Sequence, residues 1–249
     1  MIRTAVILAA FVAAIGTGSA DAATFSVNPT QIFLTGKSGS ALLTLRNDSS
    51  ELLRFQLSAF SWQQSASGEL QLGPTKDVVF FPALLSLKPG EERRVRIGSL
   101  APAGARETTY RIFVEELPPV DSTSTGAAVK MLTKMGIPVF VRPAAEREAA
   151  TLDGLGLEGG RLRFTIGNEG TVHFVPSQIT ARANDASGAV VFEHSIPAWY
   201  ILAGGRRDFE VDVTSPDCAR VATYAVVVQR EAETLTKSLP APQSACTPK

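Results

Sequence analysis

The sequence has few of the residues from which catalytic and metal sites are built. Its only histidines are His173 and His194, and its only cysteines are Cys218 and Cys246. Neither histidine has metal-ligand spacing to a cysteine, and no G-x-S-x-G motif marks a nucleophile. Both histidines lie in strand-like segments beside aromatic residues, where a packed or surface role is typical. We therefore predict no catalytic residue, no metal and no cofactor, and we do not expect an enzyme.

Neither sign of charge is in excess. The chain carries 24 basic and 24 acidic residues, so its formal net charge at pH 7 is zero. A nucleic-acid partner requires a basic face that neutralises phosphates. The composition therefore predicts no nucleic-acid binding.

Long apolar runs are absent except at the N-terminus. Arg3 precedes an apolar run from Ala5 to Ile15, and Ala20 and Ala22 supply the small residues of a cleavage site. The run is too short for a transmembrane helix, which needs about 20 apolar residues. We predict a signal peptide over residues 1–22, cleaved after Ala22 or, as a second choice, after Ala23, and therefore export.

The two cysteines both lie near the C-terminus. In an exported protein two thiols usually pair, whereas a metal site would need further ligands. We predict a structural disulfide between Cys218 and Cys246.

What the sequence does contain is a series of short strand patterns separated by turn residues. Alternation of charged and bulky apolar residues is clear in residues 94–97, 109–115, 161–166 and 208–214. No stretch longer than about ten residues keeps a helical period. Short strands with turns at this spacing predict an all-β protein made of sandwiches. The length favours two of them, over residues 23–143 and 144–249, with the break near Pro143.

One strand pattern, residues 130–143, is unusually long. Met131, Thr133 and Met135 lie on the same face as Ile137, Val139 and Val141. A typical strand has about 5–6 residues, and this alternation continues for twice that length. The polar and small residues 121–128 precede it. So long an apolar edge predicts a partner chain that covers it, and the alternative is a long core strand.

Four stretches, in order along the chain, carry a resemblance to a known family. They are residues 25–34, residues 81–97 with Leu-Lys-Pro-Gly and Val-Arg-Ile, residues 107–119 with Glu-Thr-Thr-Tyr-Arg and Glu-Leu-Pro, and residues 137–143. Together they resemble the periplasmic pilus chaperones of the chaperone–usher pathway, in particular the archaic or spore-coat-protein-U-like branch. A weaker match at residues 164–168 extends the resemblance into the second domain.

The resemblance implies a fold and a function. The fold is two immunoglobulin-like β-sandwiches arranged as an L with a cleft between them. The function is that of a periplasmic chaperone that binds pilus or fimbrial subunits by donor-strand complementation and passes them to an outer-membrane usher. Strand addition of this kind supplies main-chain hydrogen bonds and alternate side chains to a groove.

On this interpretation, the donated side chains would be Val129, Met131, Thr133 and Met135. Methionine suits a strand that fits several related grooves, because its side chain is flexible and polarizable. Ile137, Val139 and Val141 would instead pack inside their own domain. Such an edge also predicts that free copies can associate through it.

The family also anchors the C-terminal carboxylate of the subunit on two basic residues in the cleft. Here Gln31 and Pro138 occupy those positions and carry no charge. The candidate cations are therefore Arg142, Arg111, Arg96 and Lys134. For Arg111 and Arg96, an interdomain or surface ion pair is an equally good interpretation.

A rival function belongs to another class. The same two sandwiches would also suit a structural or adhesive module displayed at the cell surface, with no client. The family motifs and the slack segment before the long strand favour the chaperone.

Overall fold

The described part of the chain is built almost entirely from β-strands. The computed structural model describes residues 24–35, 39–119, 131–213 and 218–241. Within these ranges there is one short 3-10 turn, Cys218–Arg220, and no α-helix. No helix there is long and apolar enough to cross a membrane. The predicted signal peptide, Cys246 and the side chain of Cys218 lie outside the description, so the cleavage site and the disulfide stay predictions.

The N-terminal half forms a sandwich of two sheets. Its strands are β1 (Phe25–Asn28), β2 (Ile32–Leu34), β3 (Ser40–Asn47), β4 (Leu53–Gln64), β5 (Leu70–Pro74), β6 (Val78–Phe81), β7 (Leu84–Leu87), β8 (Glu92–Ser99), β9 (Thr108–Glu116) and β10 (Lys134–Val141). One sheet has the order β1-β3-β8-β6, and the other has the order β2-β10-β9-β4-β5 with β7 paired to β4.

The alternation that predicted these strands also decides which side chains enter the core. In β8, for example, Val95 and Ile97 are fully buried while Arg94 and Arg96 face outward. Successive side chains of a strand point to opposite faces of the sheet, so one apolar row from each sheet forms a shared core. Ile137, Val139 and Val141 of β10 belong to that core, which confirms their predicted place.

The C-terminal half forms a second sandwich with its own core. Its strands are β11 (Ala150–Glu158), β12 (Arg161–Asn168), β13 (Gln178–Asn184), β14 (Val190–Ile196), β15 (Arg206–Asp212), β16 (Thr223–Gln229) and β17 (Thr234–Pro240). One sheet has the order β11-β12-β15 and the other has the order β14-β13-β16-β17. The prediction of two all-β sandwiches is therefore confirmed. Its first strand begins at Ala150, seven residues after Pro143.

Each sandwich contains a buried asparagine that joins neighbouring turns. The amide of Asn47, at the end of β3, donates to the carbonyls of Glu51 and Leu87 at 2.7 and 2.9 Å. Asn168, at the end of β12, donates in the same way to the carbonyls of Val172 and Ile201, both at 2.9 Å. Because a buried amide must be hydrogen-bonded, each side chain fixes the loops that leave its sheet.

The two domains meet through aromatic packing and one acid–histidine contact. Trp62 and Phe140 form a buried cluster with Tyr200 and Leu202 of the second domain. The fully buried carboxylate of Glu107 lies 2.6 Å from Nδ1 of His173 and accepts from the His173 backbone N–H. These contacts hold the domains against each other around the cleft.

A buried tyrosine gives the N-terminal domain a predicted pH dependence. Burial, with a hydrogen bond of 3.0 Å to Asp77, raises the pKa of Tyr110 to about 12. The neutral phenol is the form that the folded state favours. Its contribution to stability is therefore complete below the ordinary tyrosine pKa of about 10 and is lost as the pH rises towards 12.

We therefore expect the free energy of unfolding to fall more steeply over this interval in the parent than in Tyr110→Phe. Denaturant unfolding at a series of pH values measures both slopes. The other buried tyrosines, Tyr200 and Tyr224, are present in both proteins and cancel in the difference. Equal slopes would mean that the Tyr110 hydroxyl titrates normally.

Candidate functional site

Strand β10 has an edge that is only partly covered. On one side it pairs with β9 along its whole length, from Lys134 to Val141. On the other side it pairs with β2 only from Val139 onward. Among the described residues, no strand pairs with the outer edge of Lys134–Pro138. Pro138 fits such a position, because proline within a sheet is confined largely to edges.

The chain preceding β10 is exposed and apolar. Met131 is 79% exposed and Leu132 is 44% exposed. Thr133 is exposed and still joined to β9, because its carbonyl accepts from the backbone N–H of Glu116 at 2.9 Å. Met131 and Thr133 are thus accessible as predicted donor residues, whereas Val129 lies outside the described residues.

Met135 is in a different environment. Its side chain is half-buried and packs against the core of its own domain. It lies on the inward row of β10 together with Ile137, so its own sandwich already occupies much of its surface. Of the described donor candidates, it has the least surface left for a partner.

Arg111 is the cation that stands out in the cleft. It lies on β9 directly opposite Pro138 of β10, and only 9% of its surface is exposed. Within the described ranges no carboxylate lies within 4.0 Å of its guanidinium and no hydrogen bond satisfies it. Its Nε is buried without a partner. A buried arginine without a counter-ion is unusual, because burying an unpaired charge is costly.

Aromatic groups from both domains surround this guanidinium. Its Cζ lies 4.3 Å from the ring centroid of Trp62 in the N-terminal domain and 5.9 Å from that of Trp199 in the C-terminal domain. The hydroxyl of Tyr200 is close by and accepts a hydrogen bond from the side chain of Gln31. Cation–π contacts of this kind offset part of the desolvation of the charge.

The residue types of β10 leave room for the arginine. A Cβ at Gly136 would lie 3.3 Å from Nη1 of Arg111 and 3.0 Å from the ring of Phe113. Glycine at this position therefore lets the guanidinium lie across the strand. Pro138, beside it, adds no charge that would compete for a ligand.

Burial and the neighbouring groups also shift the titration of this site. Burial lowers the pKa of Arg111, and the nearby Tyr200 hydroxyl acts in the opposite direction. Burial raises the pKa of Tyr200, while the hydrogen bond from Gln31 and the charge of Arg111 act against that rise. Arginine stays protonated in proteins, so the site presents a positive charge next to a neutral phenol.

The other predicted anchor residues have different surroundings. Lys134 pairs with Glu115 at 2.9 Å on the surface. Arg142 pairs with Glu146 at 2.7 Å and stacks on Phe33.

Arg96 lies apart from this group. It is on the outer face of the other sheet, where it donates to Ser40 at 2.9 Å. The structure thus brings Arg111 to the open strand edge and places Arg96 elsewhere.

The second domain contributes residues that no sequence pattern indicated. Trp199 and Tyr200 lie between β14 and β15 and reach Arg111 only because the domains pack together. The local signal was an aromatic pair after Pro197, which by itself does not indicate a site. His173 has the packed role that was expected for it, on the ring of Phe140 with centroids 3.8 Å apart. Within the described ranges, no cluster of His, Cys, Asp and Glu could hold a metal ion.

The fold and this site together describe a two-domain immunoglobulin-like protein with an unsatisfied strand edge. Residues 24–146 match the family of pili and flagellar-assembly chaperones through the PapD N-terminal domain. Residues 24–146 are therefore identified as an N-terminal domain of this chaperone family.

Individual relatives agree with this assignment. The chain is 30% identical over 124 residues to the chaperone protein PmfD of Proteus mirabilis, a stretch that covers 48% of this chain and 46% of that protein. The match therefore spans about half the length of the curated relative.

Solved structures extend the similarity of fold to both domains. The chain is similar to a chain of the CsuC–CsuE chaperone–tip subunit pre-assembly complex of archaic Csu pili of Acinetobacter baumannii. The TM-score is 0.60 and the identity is 17%, over 87% of this chain and 98% of the matched chain. It is also similar to the chaperone DraB of E. coli, with TM-score 0.53 and 20% identity over 89% and 98% of the two chains.

The unpaired charge of Arg111 gives a test of stability. We expect the free energy of unfolding of Arg111→Leu to equal that of the parent or to exceed it by up to about 2 kcal/mol. The reason is that the variant lacks a buried charge that no anion among the described residues compensates. Denaturant unfolding of the isolated protein measures this difference.

A matched control is Arg230→Leu. Arg230 is also buried, with 3% of its side chain exposed, but it pairs with Glu148 and Glu233. Its loss should destabilise the protein by about 1–3 kcal/mol, since charged hydrogen bonds are removed. If Arg111→Leu destabilises as much as Arg230→Leu, a compensating partner of Arg111 must exist.

Proposed function

We propose that the protein is a periplasmic chaperone that binds pilus or fimbrial subunits by lending them strand β10. The observation that carries this proposal is the open edge of Lys134–Pro138, which ends beside the buried unpaired Arg111. An exposed strand edge pairs readily with another chain. A client strand added there would receive main-chain hydrogen bonds from β10 and side-chain contacts from Met131 and Thr133.

The position of Arg111 gives the added strand a direction. Arg111 lies opposite Pro138, at the C-terminal end of the open stretch. A client whose C-terminal carboxylate binds there must place its last residue at this end. Its final strand therefore runs parallel to β10.

Arginine is suited to the anchoring role. Its planar guanidinium binds a carboxylate through two parallel hydrogen bonds. The carboxylate would supply the counter-ion that Arg111 lacks within the described residues. Arg142 and Lys134 already have carboxylate partners, so we assign the anchor to Arg111.

We also propose where the protein works and which partners it has. Export by the predicted signal peptide would place it in the periplasm, and an outer-membrane usher would receive the loaded subunit. Without a client, the same edge would let two copies associate. A structural or adhesive module without a client does not require an open strand edge next to an unpaired cation, so these features favour the chaperone.

The exposed methionine provides a test of strand donation. Met131→Asp should leave the fold intact, because the side chain is 79% exposed. It should abolish protection of a co-expressed subunit, because a carboxylate cannot enter an apolar groove without a large desolvation cost. The yield of soluble subunit from the periplasm, and of the complex purified with it, measures the effect.

The control for this variant is Val190→Asp. Val190 is 55% exposed on β14, in the C-terminal domain. It gains the same charge far from the donated strand and should keep the parental yield. If Met131→Asp also keeps that yield, β10 is not the donated strand.

The anchor is tested by comparing two arginines. Arg111→Ala should reduce the affinity for a subunit at least tenfold, which corresponds to about 1.4 kcal/mol, because the carboxylate loses a charge-assisted pair. Arg142→Ala should have a smaller effect on affinity. Surface plasmon resonance with a purified subunit whose own groove is unfilled measures both, and the opposite ranking would move the anchor to Arg142.

A further inference from the structure

Trp199 is an exposed aromatic residue beside the proposed anchor. It lies in the stretch between β14 and β15 and is 43% exposed. Its ring packs edge-on against Tyr200, with centroids 5.2 Å apart. Tyr200 is itself fixed in the buried cluster between the domains. The indole is therefore held in place while much of its surface remains accessible.

The two indoles near Arg111 differ in what they can still contact. Trp62 is 1% exposed, because its ring is buried against Phe140 and against Tyr200 and Leu202 of the second domain. Trp199 is the more distant of the two, at 5.9 Å from Cζ against 4.3 Å for Trp62. A group that binds to the guanidinium from the cleft therefore meets Trp199 as its accessible aromatic neighbour.

We propose that Trp199 determines which C-terminal residue a client presents. This inference rests on the proposed binding of the client's terminal carboxylate to Arg111. A carboxylate paired with the guanidinium has its nitrogen–oxygen contacts at about 2.7–2.9 Å. The side chain on the same residue is then within reach of the indole. A flat aromatic side chain gains a ring contact there, whereas alanine gains none.

The ligand class follows from these two groups. It is a polypeptide with a free C-terminal carboxylate and an aromatic last residue. Aromatic pairs gain energy beyond the area that they bury. Arg111 supplies the charge for the carboxylate, and Trp199 supplies the preference among side chains.

The test uses short peptides that contain only these two determinants. N-acetylated Gly-Ser-Gly-Ser-Gly-Phe and its counterpart ending in Ala are prepared as free acids and as C-terminal amides. Trp62 and Trp199 are the only tryptophans in the sequence, and both contact Arg111. Their fluorescence therefore reports occupancy in the parent, and calorimetry at high peptide concentration measures affinity in all variants.

The expected result is that the Phe acid binds about 2- to 10-fold more tightly than the Ala acid to the parent. Trp199→Ala should bind the Phe acid and the Ala acid equally, while Trp199→Phe should keep part of the preference. Thermal unfolding of both variants checks that the domains remain folded.

The outcomes distinguish a failure of the Trp199 preference from a failure of the Arg111 anchor. If acids bind no better than amides, or nothing binds, the anchor at Arg111 is wrong and the inference fails with it. If acids bind better than amides but Phe and Ala are equal, the anchor stands and the inference on Trp199 is wrong. A preference for Phe that survives in Trp199→Ala also overturns it.

Discussion

The cleft is organised around one constraint, the burial of an arginine with no counter-ion among the described residues. Carboxylates of the protein itself could neutralise the charge of Arg111, as Glu148 and Glu233 neutralise that of Arg230. Instead its neighbours are rings, a glycine and a proline, which accommodate the charge without neutralising it. Removing one partner of a buried charge is costly, and here the free protein already bears that cost. A ligand carboxylate that paired with Arg111 would recover this cost, so the free energy lost in folding would be returned as free energy of binding.

The same arrangement links strand pairing to charge recognition. Pro138 is both the last uncovered residue of the β10 edge and the residue opposite Arg111. A partner chain therefore meets the hydrogen-bonding edge and the cation as one continuous surface. The domain interface supports this surface from behind, because Trp62, Phe140 and Tyr200 are packed together in one cluster. Rigid packing between the domains is thus a requirement of the site and not only of stability.

The sequence predicted the parts of this arrangement that depend on local pattern. Alternation placed Ile137, Val139 and Val141 in the core, and the charge-rich alternation of residues 109–115 placed Arg111 on a strand. It did not separate Arg111 from Arg142 or Lys134, because the burial of Arg111 and the pairing of Lys134 with Glu115 arise only on folding. Trp199 was missed for the same reason, since its role depends on contact between domains.

The short strand β2 limits where a partner strand can pair with β10. It covers β10 from Val139 to Val141, so the uncovered stretch has a fixed end that no added strand can pass. Sliding by one residue would turn every side chain of that strand to the wrong face. An end stop and a terminal charge contact at the same point would prevent such sliding. The register of a bound strand would then be fixed from its chain terminus, and the face of each later contact would be set before that contact forms.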